Sequence, residues 1–467
     1  MSYFKTYLKA GLLSLALVAF GIALYIYQSP QHKLVNGYDD LSSLKNTSIE
    51  RETELGTPEA DAAGPKKEIS IAEKLVDPDM SKKWDIDMTD AFKAWTRHGE
   101  IGSRDIKVCV IDTGIDVNHP DLANNLWINP GESCLNQKTG RHEICEKSRD
   151  GIDSDGNGFI DDVYGWNFVS NNNDLRDNHG HGTHISGIIG AEGGNGIGIS
   201  GISPRVSIIT AKYYDPQSPP QNNLANTIRA IRYCAQAGAH IINYSGGGTE
   251  PSDLERNAIA DARDAQGRPI LFIAAAGNER SNSDVRKYYP AGYGLPNIIS
   301  VTAINREKKV LDSSNYGVNS VDLAAPGHNL YSTLPGGRYG TMTGTSQATA
   351  VVTGAAALIK SRHRDYAASE VIAAITETGD YDPTRLAGRT RSLKRLNIYR
   401  ALSIVGDGVN VVGAVPRNVH NLRPDAYAST VLRPPTNSGI DLNGTLDQLN
   451  SFIESSEGPV RQRQQAR

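Results

Sequence analysis

Three short segments, far apart in the chain, carry residue types that together can perform nucleophilic chemistry. Asp112 lies within Val110–Gly114, His181 lies between two glycines, and Ser346 lies within Gly344–Ala348. A serine hydroxyl can attack a carbonyl carbon when a histidine accepts its proton, and a carboxylate can hold that histidine in the required tautomer. We therefore take Asp112 as the orienting carboxylate, His181 as the general base and Ser346 as the nucleophile.

A fourth segment supplies a hydrogen-bond donor for developing negative charge. Asn278 follows the small residues 274–277, and its amide can donate to the oxygen of an attacked carbonyl. The small and apolar run at 348–359 predicts a buried helix that begins at Ser346, and a helix N-terminus favours negative charge. We expect Asn278 and the backbone N–H of Ser346 to bind the oxyanion together.

The elements that must position these residues alternate between strands and helices. Short apolar runs rich in β-branched residues are typical of strands buried on both faces, and here they are 107–112, 207–211, 240–244, 270–275 and 298–303. Helical spacing recurs between them, as at Leu224, Ile228, Ile231 and Ala235. The chain is thus expected to be an α/β protein with a doubly wound, mostly parallel sheet and helices on both faces. In such a sheet, functional residues gather beyond the carboxyl ends of the strands.

The four motifs, in the order Asp112, His181, Asn278 and Ser346, resemble those of the subtilase family, the subtilisin-like serine endopeptidases. The resemblance covers a catalytic domain at 77–405 and implies hydrolysis of peptide bonds in proteins or peptides. It also implies a strand that pairs with the substrate backbone, formed by Ser245, Gly246, Gly247 and Gly248. By the same resemblance Glu279 lies at the rim of the specificity pocket and suggests tolerance for basic side chains.

Two alternatives to a hydrolase stay open at this point. A binding protein could retain a protease fold, but the sequence sign would be the loss of one motif, and all four are intact. Transfer of the acyl group to an amine instead of water would use the same residues.

Oxygen ligands suited to calcium are concentrated at 150–162, together with glycines that permit sharp turns. The segment begins like an EF-hand loop, but Tyr164 stands where the closing glutamate should be. It is either a calcium loop of the subtilase kind or a solvated acidic turn. The ligands we expect are Asp153, Asp155, Asn157, Asp161 and Asp162. The resemblance implies a second calcium site with carbonyl ligands from 193–199 and side-chain ligands from Asp77, Asp121 and Asn195.

Four cysteines are consistent with an exported protein. Cys134 and Cys145 share one polar insertion, and a disulfide between them is the favoured interpretation in an oxidising compartment, with free thiols as the alternative. Cys109 lies in an apolar strand and Cys234 in a helix, so both are expected to be small buried side chains.

The N-terminal segment 1–30 predicts export. Lys5 and Lys9 precede an uncharged, mostly apolar run at 10–27. The run is an uncleaved signal-anchor, which leaves the catalytic domain outside the membrane at the cell envelope, or a signal peptide cleaved on secretion, with a buried helix of a globular domain as the remaining alternative.

The remaining segments are polar. Residues 31–76 have the composition of an acidic linker, and the Pro-, Asn- and Ser-rich tail at 406–467 is expected to be disordered. The net charge of −4 gives no electrostatic reason to expect nucleic acid as a partner.

Overall fold

The computed structural model describes residues 75–218 and 223–403. The predicted N-terminal apolar segment, nearly all of the linker and the C-terminal tail lie outside these ranges. Within them, no helix is both long enough and apolar enough to cross a membrane.

A large sheet forms the centre of the described ranges. The strands, in chain order, are β1 (Gly102–Asp112), β2 (Cys134–Asn136), β3 (Arg141–Glu143), β4 (Gly165–Asn167), β5 (Arg205–Lys212), β6 (Ile241–Tyr244), β7 (Leu271–Ala275), β8 (Ile298–Ile304), β9 (Leu323–Pro326), β10 (Leu330–Leu334), β11 (Arg338–Met342), β12 (Asp380–Tyr381) and β13 (Lys394–Arg395). Nine of these described strands form the sheet in the order β12–β13–β9–β8–β7–β6–β1–β5–β4. Neighbours pair in parallel except β12 with β13. Two antiparallel hairpins, β2–β3 and β10–β11, lie outside the sheet.

Helices cover both faces of the sheet. They are α1 (Trp84–Met88), α2 (Ala91–His98), α3 (His181–Gly190), α4 (Asn223–Gln236), α5 (Asp253–Asp261), α6 (Thr345–Arg362), α7 (Ala368–Thr378), α8 (Pro383–Leu386) and α9 (Ile398–Leu402). Because successive side chains of a strand point to opposite faces, β1 contributes Val108 and Val110 to one core and Cys109 and Ile111 to the other. The first core includes side chains of α3, α6 and α7, and the second includes those of α4 and α5. The predicted doubly wound α/β fold is confirmed.

Helix α6 lies across the sheet and packs against β1, β6, β7, β8 and β9. Its residues from Thr345 to Lys360 are all buried, which explains why the sequence is small or apolar around the whole helix. The helix begins one residue before Ser346, so burial of its length fixes the position of that side chain.

Both pairs of cysteines form disulfides. Cys109 of β1 is joined to Cys234 of α4 with a Cα–Cα distance of 5.8 Å, and Cys134 is joined to Cys145 across β2–β3 with 5.9 Å. The expectation that Cys109 and Cys234 are only small buried side chains is therefore wrong. Both are fully buried, but strand alternation directs Cys109 to the face that α4 covers, where Cys234 meets it.

Candidate active site

The end of β1 and the start of α3 bring Asp112 and His181 together. The Nδ1 atom of His181 lies 2.7 Å from Oδ1 of Asp112, whose side chain is buried. The approach needs a glycine at 182, because a Cβ there would lie 2.1 Å from the carbonyl oxygen of Gly114. Asp112 also accepts a hydrogen bond from the backbone N–H of Thr113, which holds the carboxylate in place. The pair can fix the tautomer of the imidazole and stabilise its protonated form.

The electrostatic surroundings favour a proton on His181. Burial by itself lowers the pKa of His181, but the charge of Asp112, its hydrogen bond and the charge of Asp177 outweigh burial and raise it above the ordinary value. His184, three residues later, is different. Its Nε2 lies 3.0 Å from the carbonyl oxygen of Leu330, and burial together with the charge of His181 lowers its pKa to about 3. A buried histidine that stays neutral in this way supports the structure of α3.

Sequence reasoning missed Asp177. Its carboxylate accepts hydrogen bonds from the hydroxyl of Thr113 at 2.8 Å, from the N–H of Gly180 at 2.7 Å, and from the N–H and hydroxyl of Thr183 at 2.8 and 2.7 Å. The hydroxyl of Thr113 in turn accepts from the N–H of Gly182. One carboxylate thus ties the residue after Asp112 to the first turn of the helix that carries His181. Its position four residues before His181 was the available sequence signal.

Ser346 lies in the first turn of α6 and is buried. Among the described residues, the partner of its hydroxyl is the carbonyl oxygen of Ser245, 3.0 Å away. To give its proton to His181, the hydroxyl must leave this hydrogen bond, and side-chain hydrogen bonds of this kind commonly rearrange when substrate binds. The contact also places the segment that begins at Ser245 directly beside the nucleophile.

The side chain of Asn278 is oriented by α6. Its Oδ1 accepts hydrogen bonds from the N–H of Thr345 at 3.0 Å and from the hydroxyl of Thr345 at 3.2 Å. With Oδ1 engaged at the helix N-terminus, the Nδ2 group is left to donate. Asn278 is exposed, next to a buried nucleophile, so its donor group is accessible to an incoming carbonyl oxygen.

The glycine-rich segment after β6 is paired along one edge. Gly248 and Tyr289 exchange two backbone hydrogen bonds, of 3.0 and 2.7 Å, in an antiparallel bridge. Neighbouring residues of an extended chain direct their backbone groups to opposite edges, and among the described residues Gly247 forms no backbone hydrogen bond. A peptide could therefore pair with Gly247 at the same edge as the nucleophile. Gly246 directly precedes these two glycines, and a Cβ there would lie 2.2 Å from the hydroxyl oxygen of Tyr213.

Glu279 is exposed and forms two hydrogen bonds with the side chain of Asn315. Its backbone N–H donates to Oδ1 of Asn315 at 3.0 Å, and its Oε2 accepts from Nδ2 of Asn315 at 2.6 Å. Its carboxylate is thus partly occupied by this hydrogen bond.

The acidic segment 150–162 divides into two parts. Asp153 and Asp155 come together with Glu132, which the sequence prediction missed, and oxygens of all three lie within 4.8 Å of one another. Glu132 is fully buried, and among the described residues its Oε2 has no hydrogen-bond partner. Burial raises the pKa of this carboxyl, and the charge of Asp155 raises it further. This Oε2 atom and the carboxylates of Asp153 and Asp155 together form a set of oxygen ligands of the kind that Ca²⁺ prefers.

The other predicted ligands of this segment are engaged elsewhere. Asp161 accepts a hydrogen bond from the N–H of Gly151. Asp162 is buried and accepts hydrogen bonds from Tyr233 at 2.7 Å and from the side-chain amide of Asn157 at 3.1 Å. Burial raises the pKa of Asp162 to about 7. The structure thus does not bring Asp161 and Asp162 into the cluster formed by Glu132, Asp153 and Asp155, because local hydrogen bonds engage them.

The second predicted group does come together. Asp121 accepts hydrogen bonds from the amide of Asn195 at 2.7 Å and the N–H of Ile199 at 2.9 Å, while Asp77 accepts from the N–H groups of Gly194 and Gly196. Both carboxylates are buried, and among the described residues neither forms an ion pair with a basic side chain. Burial raises the pKa of Asp121, and the charge of Asp77 adds to this effect. A cation would relieve this repulsion, so the donor set fits a calcium ion.

Comparison with known proteins gives the family of the chain. The family model described as the subtilase family matches residues 103–399. Subtilisin-like protease 1 of Plasmodium vivax is 34% identical over 352 residues, which are 71% of this chain and 52% of that protein. Subtilisin-like protease 1 of Plasmodium berghei (strain Anka) is 34% identical over 283 residues, 57% of this chain and 44% of that protein. The thermophilic serine proteinase of Bacillus sp. (strain AK1) is 32% identical over 304 residues, 65% of this chain and 63% of that protein.

The chain spans about half the length of the two Plasmodium relatives. The matched residues 103–399 include the segments of Asp112, His181, Asn278 and Ser346. The chain therefore belongs to the subtilase family, the subtilisin-like serine proteases, as its four motifs predict.

Proposed function

We propose that this chain hydrolyses peptide bonds of proteins or peptides by acyl transfer through Ser346. The observation that carries the proposal is a pair of contacts beyond the carboxyl ends of β1 and β6, which are adjacent parallel strands. His181 contacts Asp112 at 2.7 Å, and Ser346 contacts the segment next to which a peptide can bind. Family membership supports the same reaction class.

Each residue then has a defined part in the reaction. Ser346 Oγ attacks the carbonyl carbon as His181 takes its proton, and Asp112 stabilises the imidazolium. The Nδ2 group of Asn278 and the backbone N–H of Ser346 donate to the oxyanion. His181 returns the proton to the leaving amine, and water then releases the acyl group by the same steps in reverse order. The raised pKa of His181 suits a group that must hold and release this proton.

A covalent probe tests the nucleophile. The full chain should label with a fluorophosphonate, and Ser346→Ala should not. Ser170→Ala, which removes the hydroxyl of an exposed serine, is the matched control and should label like wild type. Labelling that persists in Ser346→Ala, or folded wild-type protein that neither labels nor cleaves casein, would refute the proposal.

We propose calcium as a structural cofactor at two places. Glu132, Asp153 and Asp155 would hold one ion, and Asp77 and Asp121 with Asn195 would hold the other. The first site is supported by the Glu132 oxygen that has no hydrogen-bond partner in the described part of the chain, and the second by two buried carboxylates that form no ion pair with a basic side chain there. Binding to the folded state alone would raise the stability of the domain.

We propose that the domain acts outside the reducing cytoplasm. Two disulfides in the described residues support this, since such bonds persist in oxidising compartments. Attachment to a membrane through 10–27, and the alternative of secretion after cleavage, stay predictions from the sequence. A protease-protection assay on intact cells would test the location, and a domain that only lysis exposes would contradict export.

A further inference from the structure

The ring of Tyr288 fills the gap between two glycine-containing segments beside the nucleophile. A Cβ on Gly247 would lie 2.6 Å from Cε1 of Tyr288, and a Cβ on Gly277 would lie 2.9 Å from Cδ2. These two carbons are at opposite corners of the ring. The ring therefore spans the gap from one segment to the other, and both positions exclude any larger residue.

The gap lies beside the residues that would contact the reacting carbonyl of a substrate. Ser245 contacts the nucleophile, and Asn278, the candidate oxyanion donor, directly follows Gly277. A peptide that pairs with Gly247 and presents its reacting carbonyl to Ser346 and Asn278 can direct the adjacent side chain into the space between the segments of Gly247 and Gly277. That space is the one that Tyr288 closes.

Backbone contacts hold Tyr288 in position. The next residue, Tyr289, exchanges two hydrogen bonds with Gly248, so the chain directly after Tyr288 is tied to the segment that contains Gly247. Burial, together with the charge of Glu279, raises the pKa of Tyr288 to about 12, so the phenol stays neutral at physiological pH. A neutral, half-buried ring offers a substrate a flat apolar surface and no charge.

We propose that Tyr288 is the floor of the pocket for the substrate side chain on the acyl side of the cleaved bond and restricts it to small residues such as alanine, serine and glycine. This inference rests on the proposed function and deepens it. It opposes the expectation that Glu279 confers tolerance for basic side chains, because the ring limits the depth of the pocket and Asn315 occupies one oxygen of Glu279.

A peptide series that differs only at this position tests the inference. Wild type should cleave the alanine peptide with a kcat/KM about tenfold or more above those of the phenylalanine and lysine peptides, since a closed pocket rejects added volume. Tyr288→Gly should raise kcat/KM for the phenylalanine peptide by about tenfold or more. Tyr288→Phe is the matched control, because it keeps the ring, and it should preserve the wild-type order.

The outcomes separate this inference from the proposed function. Wild type that labels with fluorophosphonate but cleaves the phenylalanine or lysine peptide as well as the alanine peptide overturns the role of Tyr288 alone. If Tyr288→Phe raises kcat/KM for the phenylalanine peptide as much as Tyr288→Gly does, the role of Tyr288 is also overturned. Loss of labelling and of all cleavage in wild type instead refutes the proposed function. If Tyr288→Gly fails to fold, the wild-type series and Tyr288→Phe still decide the question.

Discussion

Replacement of Asn278 tests the oxyanion donor because the two ends of its side chain have separate tasks. Oδ1 accepts two hydrogen bonds from Thr345, at 3.0 and 3.2 Å, and Nδ2 is left for the substrate. Asn278→Ala removes both ends. Asn278→Asp keeps an acceptor for Thr345 but replaces the donor by a carboxylate oxygen.

The magnitude follows from these contacts. Loss of one oxyanion donor, in subtilisin for example, lowers kcat by about 10²–10³, or about 2.7–4 kcal/mol. We expect this for Asn278→Ala, with little change in KM, because the hydrogen bond forms as charge develops on the oxygen. Loss of the contacts to Thr345 should cost at most about 1 kcal/mol of unfolding free energy, since water reaches this exposed site. Asn278→Asp should lose at least as much kcat, through repulsion of the oxyanion, but keep its stability.

The assay measures kcat and KM on one peptide substrate at constant pH, with active sites counted by fluorophosphonate labelling. Unfolding midpoints are measured in the Ser346→Ala background, where autolysis cannot interfere. If Asn278→Ala lowers kcat by less than about tenfold, the role of Asn278 as oxyanion donor is contradicted. Wild-type kcat in Asn278→Asp, or a higher KM at constant kcat in either variant, would also contradict it.

Three further predictions concern groups that support the site. Because neutral His181 is the active form, activity should fall as the pH drops through the raised pKa of His181. Asp177→Asn removes one negative charge that raises this pKa, so the acid limb of the kcat/KM profile should move to lower pH. An acid limb that does not move would exclude an effect of the Asp177 charge on His181. The disulfide between Cys109 and Cys234 joins residues separated by 125 in sequence, which stabilises the folded state by about 5 kcal/mol in the loop-entropy model. The variant with alanine at both positions should therefore unfold at a clearly lower denaturant concentration, and an unchanged midpoint would refute this value. A chelator should lower the melting temperature of wild type more than that of Glu132→Gln, and equal shifts in both proteins would remove Glu132 from the calcium site.

The sequence predicted the features that depend on local pattern. Alternating apolar runs predicted the buried parallel strands, because a strand covered on both faces has few positions for polar residues. The small, apolar run after Ser346 predicted α6 for a similar reason, since that helix is surrounded by protein. The candidate site residues Asp112, His181, Asn278 and Ser346 were recognisable by their neighbours.

Features that depend on contacts between distant segments were not predictable in the same way. Cys109 and Cys234 were each recognised as buried, but their bond depends on which face of β1 lies against α4. Glu132 lies outside the acidic segment with which it clusters, and Tyr288 lies outside both glycine-containing segments that its ring touches.

By itself, the sequence therefore determined the family, the fold class and the candidate chemistry, because each depends on residue types and their local spacing. Only the tertiary structure decided that Glu132 comes together with Asp153 and Asp155, that Cys109 is joined to Cys234, and that Asp177 links Thr113 to the first turn of α3. The physical reason is the sequence distance over which each kind of interaction acts. Apolar periodicity acts within one element, whereas a hydrogen bond of about 2.8 Å or a closed pocket requires segments remote in sequence to be placed correctly by the whole core.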